Sequence, residues 1–185
     1  RRDLWQGGLD ELQRIYGLVA ASIAPHAQVR VNAAEALHPV IRQVLQEAGV
    51  EEEHFRLFNH PANDVWCRDH GPVFVQDVSD GSLMLADWQF NAWGGKFDAS
   101  LDNGVNARLL SLPFLASNTL ETHSLVMEGG SLETDGQGTL LTTEICLLNP
   151  NRNPTLDKAT IEEQLRASLG VERILWLAHG HLEGD

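Results

Sequence analysis

Two carboxylates stand out for the company they keep. Asp69 lies in Trp66-Cys67-Arg68-Asp69-His70-Gly71-Pro72, and Glu128 lies in Met127-Glu128-Gly129-Gly130, 59 residues further on. Each stands beside glycine just ahead of a hairpin signal, and glycine there lets backbone or substrate approach closely, as a site loop requires. Two carboxylates converging on one hollow suit a planar cation. A guanidinium keeps its charge at any physiological pH and presents five donors in a fork that two acids can hold. Trp66 and Trp93 can wall such a hollow through apolar or cation–π contact, although tryptophans more often serve simply as core. The bland reading of both acids is a strand-end carboxylate capping a turn.

The elements that must position them can be read from periodicity. Leu9 to Ala24 carries apolar residues at helical spacing and ends at Pro25; Val29 to Val31 predicts a strand, Glu35 to Ala48 a second helix stopped by Gly49, and Phe55 to Phe58 another strand. After Asp69 the pattern changes to hairpin, helix, strand. Val73-Phe74-Val75 and Leu83-Met84-Leu85 flank the turn signal Ser79-Asp80-Gly81, and the second arm runs on to Asn91. A helix is expected over Val105 to Leu115 and a strand over Thr119 to Met127. The same order then repeats: Ser131-Leu132, a turn at Asp135-Gly136, an arm from Thr139 to Asn149, a helix over Leu156 to Leu169 and a strand over Arg173 to Leu177. A ββαβ unit of this kind cannot close its own edges, so the repeat predicts an α/β propeller of pseudo-symmetric modules in which Asp69 and Glu128 take equivalent places facing one cleft. The same order can also arise by chance in an ordinary α+β fold.

The chain has 185 residues, and 13 Lys and Arg against 26 Asp and Glu give a net charge of −13, which argues against a nucleic-acid binder and favours a cationic ligand. With 43% hydrophobic and 21% charged residues it can bury a core. One domain without an internal boundary, or part of a larger one, is expected. No run of eighteen apolar residues exists, and Arg1-Arg2-Asp3-Leu4-Trp5 lacks the apolar segment of a leader, so a cytoplasmic location without membrane association is the expectation. The first residue is not Met. Cys67 and Cys146 are too few for a disulfide framework and are read as free thiols in strand-like apolar stretches.

Four long motifs carry a family resemblance: Asp64 to Pro72, Phe90-Asn91-Ala92-Trp93-Gly94-Gly95-Lys96-Phe97, Glu128-Gly129-Gly130-Ser131, and Leu140 to Pro154 with its Thr143-Glu144-Ile145-Cys146 and Asn149-Pro150-Asn151-Arg152-Asn153-Pro154. In this order and over nearly the whole chain the sequence resembles agmatine deiminases and the related bacterial-type peptidylarginine deiminases. The resemblance implies the five-module α/β propeller of the guanidino-modifying enzymes, of the pentein type, with the chain covering roughly half of the ring. It implies hydrolysis of agmatine to N-carbamoylputrescine and ammonia, a step toward putrescine, through a cysteine thiouronium intermediate and with no metal or organic cofactor. By motif match Asp69 holds the guanidinium nitrogens, Glu128 orients the proton-transfer histidine, and Trp66, Trp93 and Gly129 line the substrate. A homo-oligomer is compatible with the resemblance.

The sequence departs from the family pattern at its end. The family's His-x-Asp segment is expected soon after Ile174-Leu175-Trp176-Leu177; His179 and His181 lie too early and lack an aspartate two residues later. Cys67 sits at a variable position, and Cys146 belongs to a strand motif, so neither is expected to be the nucleophile. Both catalytic groups are therefore expected outside these residues, which alone would lack activity. Three rival readings remain: a protein-arginine deiminase of the same family, a non-catalytic module binding guanidino compounds, and a zinc hydrolase using His179 and His181 with Glu183. His70 has two readings, a side chain reaching the cleft or one packed within its loop.

Overall fold

The structure, a computed structural model, describes residues 8–180. Its internal contacts divide the chain into two compact units, Arg1–Asp64 and Val65–Asp185. The first unit alternates helix and strand: α1 (Leu9–Ile23), β1 (Val29–Ala33), α2 (His38–Glu47) and β2 (Phe55–Asn59), with β1 and β2 parallel. Its core is Ala20, Ala24, Leu45, Val50 and Phe55. The second helix is shorter than its apolar pattern suggests. Pro39 has no N–H to give and fits only a first turn, so the α-helix starts at His38 and residues 35–37 form a separate 3₁₀ turn.

The second unit opens with the one-turn helix α3 (Cys67–His70), and the ββαβ order read from the sequence then occurs twice. In the first module β3 (Val73–Gln76) pairs antiparallel with β4 (Leu83–Gln89). The chain passes through a short turn, α4 (Ala92–Gly95), and helix α5 (Val105–Leu110), and returns as β5 (Thr119–Val126), parallel to β4. In the second, β6 (Glu133–Thr134) pairs antiparallel with β7 (Thr139–Thr143); α6 (Glu144–Leu147) and α7 (Lys158–Leu169) lead to β8 (Arg173–Leu177), parallel to β7. Strand order is thus the same in both sheets, with the second strand central. The fold is α/β with mixed sheets.

One core serves both modules. Ala86 and Trp88 of β4, Leu125 of β5, Leu140 of β7 and Ile161 and Leu165 of α7 pack together with Met127, Leu132 and Leu147. The four residues Leu85 to Trp88 are all buried, as expected for a central strand covered on both faces. Ile161 and Leu165, four apart, lie on one face of α7, which begins where the Asp157 carboxylate accepts the Thr160 N–H at 2.8 Å and ends at Gly170 with φ 66°.

Two further boundaries differ most from the periodicity. α5 stops at Leu110, short of Pro113, whose ring cannot continue a helix. The arm beginning at Thr139 ends at Thr143, and the apolar run beyond it forms the helical turn α6; a short apolar run fits strand and helix equally. Neither cysteine is therefore in a strand: Cys67 opens α3 and is exposed, while Cys146 lies in α6, half-buried.

Candidate functional site

Asp69 and Glu128 come together where the two modules meet. Asp69 is carried by α3, which packs against the 3₁₀ turn Gly129–Ser131 that follows Glu128. The glycines make this approach possible. A Cβ on Gly129 would overlap the Arg68 carbonyl, and one on Gly130 would overlap the Asp69 carboxylate. The close approach at Gly129 is thus made by backbone. Gly130 donates its N–H to Asp69 Oδ1 at 3.1 Å, and the Trp93 indole N–H donates to Asp69 Oδ2 at 3.1 Å.

Trp93 reaches Asp69 from a strained turn. Residues 92–95 all have positive φ, 51° and 58° at Ala92 and Trp93, 91° and 78° at Gly94 and Gly95. The two non-glycine residues cost about 1 kcal/mol or more each in this conformation. Asn91 holds the turn by accepting the Gly94 N–H at 2.8 Å, and the Trp93 ring stands edge-on to Phe90 with centroids 5.2 Å apart. Strain of this kind is kept where the surroundings over-determine it, and here it aims one indole N–H at one carboxylate.

The two acids sit in different electrostatic surroundings. Burial pushes the Asp69 carboxyl above the usual range; the Trp93 and Gly130 donors oppose that, the neighbouring Glu128 charge adds to it, and His70 offsets a little. Its protein partners are neutral donors. Glu128, buried with its side chain 5% exposed, faces Arg152, itself 12% exposed: Nε and Nη2 of Arg152 reach Glu128 Oε1 at 2.9 and 2.8 Å. The other oxygen, Oε2, accepts the Cys146 thiol at 2.9 Å. Burial, with the Glu128 charge and hydrogen bond adding to it, pushes that thiol up to about 12. A thiol so held keeps its proton at neutral pH.

The other residues singled out in the sequence fall as follows. Trp66 stands at the N-cap position of α3, makes no side-chain cap bond and is 53% exposed. His70 is buried, packs on Phe90 and lies 3.9 Å from the buried Asp102, which fits the loop-packing reading. His179 is exposed; His181 and Glu183 lie outside the described residues. Among the described residues one set of three potential metal ligands lies close together, Glu51, Glu53 and His54, and it includes no residue of this site. Sequence reasoning missed Arg152 and the partnership of Cys146 with Glu128. The signal was present in Asn149-Pro150-Asn151-Arg152-Asn153-Pro154, a charged residue inside a turn-rich loop, but the loop's partner 24 residues away was not visible.

Comparison with known proteins gives a consistent set of relatives. The family model for Porphyromonas-type peptidyl-arginine deiminase matches residues 1–185. An agmatine deiminase of Medicago truncatula is 39% identical over the whole chain. Among solved structures, C. jejuni agmatine deiminase with substrate bound superposes with a TM-score of 0.85 at 31% identity, covering 98% of this chain and 51% of that one. Agmatine deiminase of Enterococcus faecalis superposes with a TM-score of 0.85 at 34% identity, covering 97% and 48%. The chain spans about half the length of the curated relatives it matches.

Proposed function

The chain belongs to the Porphyromonas-type peptidyl-arginine deiminase family, and from that premise we propose that it is part of an agmatine deiminase, a hydrolase of the guanidinium C–N bond. In this reading the whole enzyme is a five-module α/β propeller and both units belong to one catalytic domain. The shared strand order of the two ββαβ modules supports the ring. The observation that carries the function is Asp69: a carboxylate whose two oxygens accept, among the described residues, from the neutral Trp93 and Gly130 donors, three residues from the exposed Trp66, and close enough to Glu128 to feel its charge.

Asp69 holds the guanidinium nitrogens, where a cation offsets both the burial of the carboxylate and its repulsion from Glu128. Trp66 packs along the substrate, Trp93 fixes Asp69 and closes one wall, and Gly129 seats Asp69 against the acidic turn. A cysteine thiolate attacks the guanidinium carbon; ammonia leaves with a proton from a histidine that Glu128 orients; water then attacks the thiouronium carbon, giving the ureido product and returning the thiol. Both of those groups come from outside these 185 residues. Cys146 does not serve, because its thiol is protonated and committed to Glu128. No metal or cofactor takes part in this scheme.

The test is incubation of the full-length protein with agmatine, which should release ammonia and N-carbamoylputrescine in equal amounts. Citrulline formed in arginine peptides with agmatine untouched would move the reading to a protein-arginine deiminase. Agmatine binding without turnover would leave a binding module.

A further inference from the structure

The two acids are joined by more than proximity. Arg152 uses all three of its guanidinium nitrogens: Nε and Nη2 on Glu128 Oε1, and Nη1 on Asn151 Oδ1 at 2.8 Å. The main-chain carbonyl of Asn151 accepts the side-chain amide of Asn91 at 2.8 Å, and Asn91 in turn accepts the Gly94 N–H. Gly94 lies flat against this bridge, since a Cβ there would overlap the Asn151 amide, and Arg152 Nη1 would be 2.8 Å away. The strained turn then delivers Trp93 to Asp69 Oδ2, and Gly130, two residues beyond Glu128, closes the circuit on Asp69 Oδ1. The path runs from Glu128 in the second module through Arg152, Asn151 and Asn91 to Trp93 and Asp69 in the first.

We propose that Arg152, Asn151 and Asn91 are positioning residues that fix the spacing of Glu128 and Asp69, so that the group holding the cation and the group orienting the proton carrier cannot drift apart. The inference rests on the deiminase reading. A planar guanidinium with two donors on one oxygen and a third on Asn151 of its own loop sets an angle as well as a distance, which a lysine ammonium cannot do. A misplacement of about 1 Å between reacting groups costs on the order of 100-fold in rate.

The test uses Arg152→Lys, which keeps the charge and loses the fork, and Asn91→Asp, which keeps the cap on Gly94 and loses the donor to Asn151. Asn151→Ala, at an exposed side chain, serves if either fails to fold. Expected with agmatine is a fall in kcat of about 30- to 100-fold with KM affected less than kcat, because Asp69 keeps its charge and its Gly130 donor. The double variant should be no worse than the weaker single one, since either change opens the same circuit. Kinetics like wild type in Arg152→Lys, or multiplicative losses in the double variant, would overturn the proposal. A readout independent of activity separates it from the functional reading: 5-fluorotryptophan labelling, with the Trp93 resonance assigned by Trp93→Phe. That resonance should move in Arg152→Lys although the indole N–H donates to Asp69 and the Arg152 donors go to Glu128 and Asn151, whatever the substrate proves to be; an unmoved resonance would defeat the coupling.

Discussion

The two ββαβ modules have the same strand order and each carries an acid ahead of its hairpin, yet the acids are treated in opposite ways. Asp69 of the first module is half-buried, accepts from neutral donors at both oxygens among the described residues, and has its pKa raised by burial. Glu128, ahead of the second, is buried deeper and has a guanidinium and a thiol already on its two oxygens. A repeated fold thus supplies two equivalent positions, and the local sequence decides their use. In the proposed reading the first acid has its charge to offer a cationic ligand, and the second is held rigidly by its partners with acceptor capacity left to orient the proton carrier. Burial without a paired charge at the first and a fixed, paired carboxylate at the second agree with the cation-binding reading proposed above.

Removing each charge in turn gives the widest separation. Asp69→Asn should cost about 10²–10³-fold in kcat/KM for agmatine, because the cation loses its counter-charge, while stability stays within about 1 kcal/mol as relief of desolvation offsets one weakened hydrogen bond. Glu128→Gln should instead lower unfolding free energy by about 3–5 kcal/mol, since it strands the buried Arg152 cation. Urea denaturation with steady-state assays checks both. The pH dependence adds a sign. A raised folded-state pKa makes ionised Asp69 a cost to folding above that pKa, and the cost vanishes as pH falls below its ordinary 3.8. The wild type should therefore gain on Asp69→Asn as pH falls through that window. A constant difference would mean the two acids are not so unlike.

The paired glycines sharpen the comparison at smaller scale. At Gly129 the obstacle to a side chain is the Arg68 carbonyl, which is backbone and cannot swing away; at Gly130 it is the Asp69 carboxylate, which can. Gly129→Ala should lose about 1–3 kcal/mol of stability by overpacking. Gly130→Ala should keep most of its stability and raise KM for agmatine several-fold, because it turns Asp69 away from its N–H partner. Equal losses of stability would show that α3 and the acidic turn do not have this division of labour.

What the sequence disclosed follows from the range of the interactions. The repeat, both hairpins, β8 and the first helix were legible because period and turn residues are local; α1 ends at Ile23 and β8 spans Arg173–Leu177, close to the apolar patterns that predict them. Asp69 and Glu128 could be singled out because glycine beside an acid is itself a local signal. Arg152 could not, since its role depends on a partner in another segment. The left-handed turn at Ala92 and Trp93 was hidden too, because only Gly94 and Gly95 announce positive φ and the surroundings impose it on the two residues before them. Cys146 was misread for a further reason: its apolar neighbours fit either a strand or a turn of helix, and α6 wins by burying Leu147 in the core.

The cysteines carry the comparison to its smallest effect on the enzyme. Cys67 opens α3 beside Asp69 and is exposed, whereas Cys146 donates to Glu128. With its pKa pushed up to about 12, Cys146 has roughly one thiolate in 10⁵ molecules at pH 7. Iodoacetamide in native buffer, followed by peptide mass spectrometry, should therefore alkylate Cys67 and spare Cys146, with little change in stability. Glu128→Gln should speed Cys146 alkylation, because the Glu128 charge and hydrogen bond both hold the proton on the thiol, although burial, the larger cause, remains. Modification of Cys146 as fast as Cys67 in the native protein would mean that the thiol is not held by Glu128, and the contrast between a paired acid and an open one would lose its second leg.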